Sequence, residues 1–209
     1  MTSISIPYGR RYLTASIPDK YQTDLISLAS TPPHADPAGA VSAALESLLG
    51  ELTWGDFAGI QSAAIAINDK TRPVPHHCLL PPLLKKLEGL GLLPEQITLI
   101  IATGAHPPMR QEEFSAVVPP EILARYPIRC HDCDDTLNLA NLGITSRGTP
   151  VWINHDYMLA DLRIVVGNIE PHQFQGFSGG VKSAAIGLAG RDSINHNHAM
   201  MSDKAARLG

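Results

Sequence analysis

Two continuous apolar runs with a helical segment between them limit the fold more than any other feature of this chain. Residues 63–67 and 97–102 consist almost entirely of apolar side chains, which is typical of strands covered on both faces. Residues 79–90, which lie between them, have the apolar spacing of an amphipathic helix. This alternation predicts an α/β fold, in which a mixed or parallel sheet has helices on both faces and is Rossmann-like.

Further segments extend the pattern toward both ends of the chain. The strand candidates are residues 128–130, 151–153 and 162–167, and the helix candidates are residues 37–52, a stretch that begins near Arg110, and residues 182–188. The first 60 residues contain few apolar runs and several proline turns. We therefore predict a single α/β domain over residues 1–209, with a less regular N-terminal extension over residues 1–60 and the functional core in residues 61–209.

Composition excludes several classes of protein. The net charge of -4 and the scattered Lys and Arg residues argue against a nucleic-acid-binding protein. No segment approaches the about 18 to 20 apolar residues that cross a bilayer. The N-terminus lacks a signal-peptide pattern and the three cysteines are an odd number, so we expect a cytoplasmic protein. Cys130 and Cys133 have CxxC spacing but lack a second pair of ligands, so we expect free thiols there.

Polar residues follow three of the predicted strands at the point where each strand ends. These clusters are residues 69–72, residues 103–106 and residues 170–172. In α/β sheets, ligands bind at the carboxyl ends of the strands. We therefore expect Asp69, Arg72, His106 and His172 to meet at one site.

A glycine-rich loop lies between a predicted strand and a predicted helix. Its sequence over residues 171–183 is PHQFQGFSGGVKS, which includes Lys182. Glycines let the backbone approach an anion closely, and a helix N-terminus stabilises negative charge. The loop is not a Walker A motif, because the spacing GxxxxGK[ST] is absent. A structural turn with a solvated lysine remains the alternative interpretation of these residues.

Histidines are the second indication of chemistry, with nine in the chain. A lone histidine is more often structural, but His106 and His172 at two strand ends, near a glycine-rich loop, favour acid–base catalysis. His196 and His198 have the His-x-His spacing of a metal site, although two histidines alone hold a metal weakly. His76 and His77 begin a predicted helix, and we expect both to be exposed.

Four motifs in the same order and spacing resemble the nickel-pincer lactate racemase family. They are residues 69–73 (DKTRP), residues 103–106 (TGAH), residues 170–182, and Asn197 with His198, and they span about residues 60–209. The resemblance implies an isomerase that racemises or epimerises a 2-hydroxy acid such as lactate. It also implies that this chain is the N-terminal half of such an enzyme, with the cofactor and nickel bound in residues 61–209.

The family's cofactor is pyridinium-3-thioamide-5-thiocarboxylic acid mononucleotide, which carries nickel. The resemblance implies that Lys182 is bound covalently to this cofactor through the thioamide and that His198 is the protein ligand of nickel. A square-planar site with soft donors suits Ni(II). The remaining residues that the resemblance assigns to cofactor binding are Asp69, Thr71, Arg72, Thr103, Gly104, Phe177, Ser178, Gly179 and Gly180.

The resemblance also implies a mechanism. One of His106 and His172 takes the hydroxyl proton of the substrate while a hydride moves to the cofactor, and a 2-keto acid forms. The hydride then returns to the other face, and the second histidine supplies the proton. Arg72 binds the substrate carboxylate, and Asp69 orients a base or Arg72.

The chain departs from the family in two respects. Pro107 follows His106 where family members often carry Arg, which puts local substrate contacts in doubt. Family members are also roughly twice as long, with a second domain that closes over the cofactor, whereas Gly209 resembles a helix C-cap. We therefore expect that a C-terminal domain or a partner chain is needed to close the site, and that this chain alone turns over weakly or not at all. A homo-oligomer is compatible with the sequence.

Two other functions remain open at this point. One is a non-catalytic carrier domain that binds the cofactor and works with a partner. The other is a hydrolase that uses a metal bound by His and Asp residues. Within the racemase interpretation, the substrate remains open among lactate, malate, aryl-lactates and sugar acids.

Overall fold

The computed structural model describes residues 1–27 and 29–206, and the chain forms two compact units, residues 1–35 and 36–209. In the first unit, β1 (Thr2–Tyr8) and β2 (Arg11–Ile17) pair antiparallel as a hairpin. Residues 1–60, which the sequence indicates to be less regular, thus contain this hairpin and the first helix of the second unit. Gly209, the predicted helix C-cap, lies outside the described residues.

The second unit contains the remaining helices and strands. In chain order these are α1 (Pro37–Glu46), β3 (Ala63–Asn68), α2 (His76–Gly89), β4 (Ile97–Ala102), α3 (Pro120–Leu123), β5 (Ile128–Cys130), β6 (Leu139–Ile144), β7 (Pro150–Asn154), α4 (His155–Leu159), β8 (Leu162–Val166), β9 (Glu170–His172), β10 (Gly176–Ser178), α5 (Val181–Ala185) and α6 (Arg191–Ala199). Short 3-10 helices occur between several of them. Among the described residues, no helix is both long and apolar enough to cross a bilayer.

The central sheet has four parallel strands in the order β5-β4-β3-β8. The chain builds outward from β3 through β4 to β5, and then returns to place β8 on the other side of β3. This reversal of strand order is where open α/β sheets form a crevice at their carboxyl ends. The predicted α/β fold with a Rossmann-like parallel sheet is confirmed.

The two faces of the sheet bury side chains of different size. On one face, Ile65 and Ile67 of β3 pack in the same cluster as Leu80 and Leu87 of α2. On the other face, the alternate residues of β3 are alanines, and they pack with other buried side chains that include Tyr157, Leu188 and Ile194. Because both faces are covered, β3 is apolar along its length apart from Asn68, which explains the continuous run in the sequence.

Two sequence-based predictions about elements need correction. The helix expected from about Arg110 is a 3-10 helix, Gln111–Ala116, followed by the four-residue α3. Pro119 lies between the two and Pro120 begins α3, and neither proline can donate the backbone hydrogen bond that a continuous helix requires. The strand expected at residues 151–153 forms as β7, but it pairs antiparallel with β6 in a separate two-stranded sheet.

His76 is buried, so the prediction that it is exposed is wrong, whereas His77 is exposed. The Nδ1 of His76 lies 2.8 Å from the carbonyl oxygen of Val117, which can only accept, so Nδ1 carries the proton. Burial lowers the pKa of His76. His76 is buried because the start of α2 packs against Val117, which directly follows the 3-10 helix Gln111–Ala116.

His131 is also fully buried and joins three segments. Its Nε2 lies 2.9 Å from the carbonyl oxygen of Ala189 and donates to it, and its Nδ1 lies 3.3 Å from Nδ2 of Asn154 and accepts from it. The bond that Nδ1 accepts requires a neutral imidazole, and burial lowers the pKa of His131. Cys130 and Cys133, which lie before and after His131 in the sequence, are free thiols.

We predict that acid destabilises the fold partly through His131. Because its pKa in the folded chain is below the value of about 6.5 in the unfolded chain, its stabilising contribution is complete above that pH and falls as the pH drops. Each such histidine adds up to about 1.4 kcal/mol per pH unit to the slope of the unfolding free energy. In urea unfolding from pH 7.5 to 5, His131→Gln should lower stability at pH 7.5 and flatten the slope. The exposed His155→Gln is the control, and an unchanged slope in His131→Gln would contradict the prediction.

Candidate functional site

One cavity lies at the carboxyl ends of β3, β4 and β8, where the strand order reverses. Most of the predicted site residues line it, namely Asp69, Arg72, Thr103, Gly104, His106, His172, Ser178, Gly179, Lys182 and His198. Three predicted residues do not. Thr71 is bonded to two lining residues, Phe177 is 54% exposed, and Gly180 precedes α5 without lining the cavity.

The loops after β3 and β4 are joined by a carboxylate and an imidazole. Asp69 is buried, and its Oδ2 accepts a hydrogen bond of 2.8 Å from Nδ1 of His106. The other carboxylate oxygen accepts from the backbone N–H of Thr71 at 3.1 Å and from its hydroxyl at 2.7 Å. Since Nδ1 of His106 carries the proton, its Nε2 is left as the basic atom.

A second contact holds the same two loops together further from the cavity. Lys70 pairs with Glu113, whose other carboxylate oxygen accepts from the backbone N–H of Arg110 at 2.9 Å. The neighbouring Lys70 ammonium lowers the pKa of Glu113. The segment after His106 is therefore anchored at both ends, which limits the positions that the imidazole can reach.

His172 lies on β9, the first strand of a small hairpin that follows β8. Its Nδ1 is buried and has no hydrogen-bond partner among the described residues. Burial and the nearby charges of Lys182, Arg72 and His198 lower the pKa of His172. The lowered pKa favours the neutral imidazole, one nitrogen of which lacks a partner.

Phe174, in the turn of this hairpin, contacts both His172 and His198 edge to face. The ring centroids are 4.6 Å apart for His172 and 5.7 Å apart for His198. Gln175, the next residue, donates to Oδ1 of Asn197 at 2.5 Å and so ties the hairpin to α6. Nδ1 of His198 donates to the carbonyl oxygen of Ile194 at 2.9 Å, which leaves its Nε2 with a lone pair available for a metal.

Lys182 is half-buried on α5, directly after the glycine-rich loop. Burial lowers the pKa of its amine, and the positive charge of Arg72 lowers it further. Gly179 precedes it with a φ of +85°, and a Cβ there would overlap the carbonyl oxygen of Asn168. The loop therefore needs glycine both for its backbone conformation and for its close approach to the end of β8.

The sequence analysis missed three polar residues that line the cavity, Asn68, Asn168 and Ser183. Asn68 is the last residue of β3, and Asn168 comes two residues after β8. The rule that ligands bind at strand ends could have indicated both. Ser183 follows Lys182 directly, but nothing in its local pattern distinguishes it from a solvated helix residue.

The charges of the site favour an anionic ligand. Arg72, Lys182 and three imidazoles line the cavity, and Asp69, the one carboxylate among its lining residues, already accepts bonds from His106 and Thr71. Among the described residues, one group of acidic and thiol side chains could hold a metal, Asp132, Cys133 and Asp134, and it does not line this cavity. Asp134 is paired with Arg191 at 2.5 Å.

Comparisons with known proteins show which family this chain is similar to. The sequence model of the family described as "Lactate racemase N-terminal domain" matches residues 8–209. The lactate racemase of Lactiplantibacillus plantarum is 34% identical over 100% of this chain and 50% of its own length. That of Thermoanaerobacterium thermosaccharolyticum is 34% identical over 95% of this chain and 47% of its own.

Solved structures give the same result. The structure of the lactate racemase apoprotein from T. thermosaccharolyticum matches with a TM-score of 0.82 and 30% identity, over 100% of this chain and 49% of that one. A protein from Thermotoga maritima, at 21% identity and a TM-score of 0.65, shares the fold. The chain spans about half the length of the curated relatives it matches. It belongs to the lactate racemase N-terminal domain family.

Proposed function

We propose that this chain is the cofactor-binding half of a nickel-dependent 2-hydroxy-acid racemase or epimerase of the lactate type. The observation that carries the proposal is that His106 and His172, from different strand ends, line one cavity together with Lys182. Two bases in one site are what a racemase requires, because each antipode presents its proton from a different side. The relatives named lactate racemase support the same reaction class.

The side chains in the cavity fit the nickel-pincer nucleotide that the family resemblance implies. A lysine with a lowered pKa, such as Lys182, has more of the neutral amine that can form a thioamide. Nε2 of His198 is available for nickel, since Nδ1 is bonded to a backbone carbonyl. The buried Nδ1 of His172 lacks a partner, and a bound group would supply one. Arg72 adds a fixed positive charge for a phosphate or a carboxylate.

Each residue then has a defined task. Lys182 would carry the nucleotide, His198 would bind its nickel, and the backbone of Ser178, Gly179 and Gly180 would approach its anionic groups. Gly104 and Phe177 would border the bound cofactor. When bound, the cofactor supplies a pyridinium carbon that accepts and returns a hydride.

Thr71 and Thr103 support the site indirectly. The hydroxyl of Thr71 donates to Asp69, and the hydroxyl of Thr103 donates to the carbonyl oxygen of His131 at 2.7 Å. Both side chains thus use their proton within the protein. We therefore assign them to holding the loops after β3 and β4 in place, with the cofactor bound next to them.

The imidazoles of His106 and His172 transfer the protons. Nε2 of His106 takes the hydroxyl proton from one antipode, and Asp69 stabilises the imidazolium that forms. His172 serves the other antipode, and its lowered pKa keeps it neutral and able to accept a proton near pH 7. Arg72 binds the substrate carboxylate and holds the reacting carbon between the two bases.

One observation favours a carrier role for the chain by itself. The side chain of His106 is 47% exposed, and Arg72 is exposed as well, so water reaches both. Excluding water from a reacting site requires a cover over these residues. We propose that the other half of the relatives' length provides this cover, from the same polypeptide or from a partner. The metal-dependent hydrolase has less support, since the one group of metal-binding type in the described residues does not line the cavity.

Covalent attachment at Lys182 can be tested by intact and peptide mass spectrometry. Protein produced together with the enzymes that make the cofactor should carry an adduct on Lys182, and Lys182→Ala should carry none. The exposed Lys85→Ala is the matched control and should keep the adduct. An unmodified Lys182 in the presence of cofactor would contradict the proposal, and zinc in place of nickel would favour the hydrolase.

The roles of the two imidazoles can be tested by racemisation kinetics with the second half of the enzyme present. His106→Gln and His172→Gln should each lower kcat for lactate by about 100-fold or more, which is the usual contribution of a general acid or base. Asp69→Asn should lower kcat through His106, because it removes the carboxylate that orients the imidazole. His77→Gln, an exposed histidine outside the cavity, should match the parent enzyme. If His106→Gln or His172→Gln kept an activity within a few-fold of the parent enzyme, the imidazole removed in that variant would be excluded as a base.

A further inference from the structure

Two asparagines join the ends of β3 and β8 at the cavity. Asn68 is the last residue of β3 and is only 6% exposed. Its Nδ2 donates to Oδ1 of Asn168 at 3.0 Å and makes a longer contact of 3.4 Å to the carbonyl oxygen of Arg72. A buried amide that bonds across a strand boundary fixes the two backbones relative to each other.

The surroundings of this pair leave little room for another arrangement. Gly167 directly follows β8, and a Cβ there would lie 3.1 Å from Oδ1 of Asn68. The backbone at the end of β8 therefore runs directly against the side chain of Asn68. On the other side, the carbonyl oxygen of Asn168 lies where a Cβ of Gly179 would be. The end of β8 is thus packed between Asn68 and the glycine-rich loop.

The pair therefore connects the two loops that carry the charges of the cavity. Arg72 belongs to the loop after β3, whereas His172 and Lys182 belong to the segment after β8. We propose that Asn68 is a positioning residue, whose bond to Asn168 sets the separation between Arg72 and Lys182. The importance that this proposal gives to Lys182 rests on the proposed function. The geometry of the asparagine pair does not depend on that function.

An amide is the side chain that this position requires. A carboxylate at residue 68 would lose the donor to Asn168 and would place a second buried negative charge beside Asp69. An apolar side chain of the same shape would leave Oδ1 of Asn168 without its donor, and the two strand ends could separate. The loop with Arg72 would then be free to move away from Lys182.

The separation can be measured through the amine of Lys182 in the chain without cofactor. The titratable and charged side chains that line the cavity with it are Asp69, Arg72, His106, His172 and His198. After burial, Arg72 is the cause that lowers the pKa of Lys182. If Arg72 moves away or water enters, the pKa of Lys182 must rise, because both changes favour the charged amine.

The experiment is competitive acetylation with trace acetic anhydride from pH 6.5 to 10.5, with each lysine quantified by peptide mass spectrometry. In the parent chain, the midpoint for Lys182 should lie below the value of about 10.4 for an unperturbed lysine. In Asn68→Leu the midpoint for Lys182 should rise, and a rise of half a pH unit would lower its reactivity at a fixed lower pH by about three-fold. Acetylation of the exposed Lys85 is the internal reference in each sample.

Two further variants separate positioning from a general loss of stability. Asn168→Leu should shift the midpoint as Asn68→Leu does, and the double variant should shift it no further, since both remove one bond. Asn154→Leu is the matched control, because Asn154 is buried and its amide also makes two hydrogen bonds, but outside the cavity. It should leave the midpoint of Lys182 unchanged.

The outcomes are decisive in each case. An unchanged midpoint in Asn68→Leu, or an equal shift in Asn154→Leu, would overturn the proposal. If Asn68→Leu does not fold, Asn168→Ala, at a half-buried position, gives the same test. Because no cofactor is present, the result stands whether or not Lys182 carries an adduct, so failure of this proposal and failure of the proposed function are distinguishable.

Discussion

The parallel pairing of β3 with both β4 and β8 is the constraint on which the site depends. Parallel neighbours end at the same edge of a sheet, so the loops after these three strands must meet there. The strands β4 and β8 lie on opposite sides of β3, and such a reversal of strand order is where open α/β sheets form a crevice at their carboxyl ends. The side chains that line the cavity come from these three strand ends, from the β9–β10 hairpin and from the segment of α5 and α6.

Small residues bring that segment close enough to contribute. β3 presents Ala64 and Ala66 to the face on which Leu188 and Ile194 pack, whereas larger side chains would hold the segment away. Gly187 allows a further approach, since a Cβ there would overlap the carbonyl oxygen of Ser183 and lie 3.0 Å from Cβ of Ala102. The carbonyl of Gly187 accepts from the N–H of Gly104 at 2.9 Å, which joins the loop after β4 to this segment. His198 reaches the cavity because of this packing.

Much of this arrangement could be predicted from the sequence, because it is encoded locally. The continuous apolar runs of β3 and β4 indicate strands covered on both faces, and the polar residues after them mark the edge where a site forms. Asp69 and His106 were predicted in this way and Lys182 from the glycine-rich loop, and all three line one cavity. The roles of Lys182 and His198 came from the family resemblance, since spacing alone does not indicate a covalent attachment or a particular metal.

The remaining features depend on contacts between distant parts of the chain. Asn68 and Asn168 are 100 residues apart, and no local pattern indicates that their amides meet. His76 is buried by a segment about 40 residues further along, so its position at a helix start was misleading. Thr71 resembles a phosphate ligand by sequence, but its hydroxyl is directed to Asp69. Side-chain direction at a strand end is set by tertiary packing, and the sequence pattern does not contain it.

The electrostatics of the cavity connect its folding to its use. Burial and nearby positive charge lower the pKa values of both His172 and Lys182, which means that gathering positive charge in this cavity costs free energy. The one carboxylate that lines the cavity, Asp69, is bonded to His106 and Thr71. An anion between Arg72 and Lys182 would remove the repulsion and stabilise the folded chain by mass action. The same charges that make the cavity costly to form therefore select a negatively charged ligand.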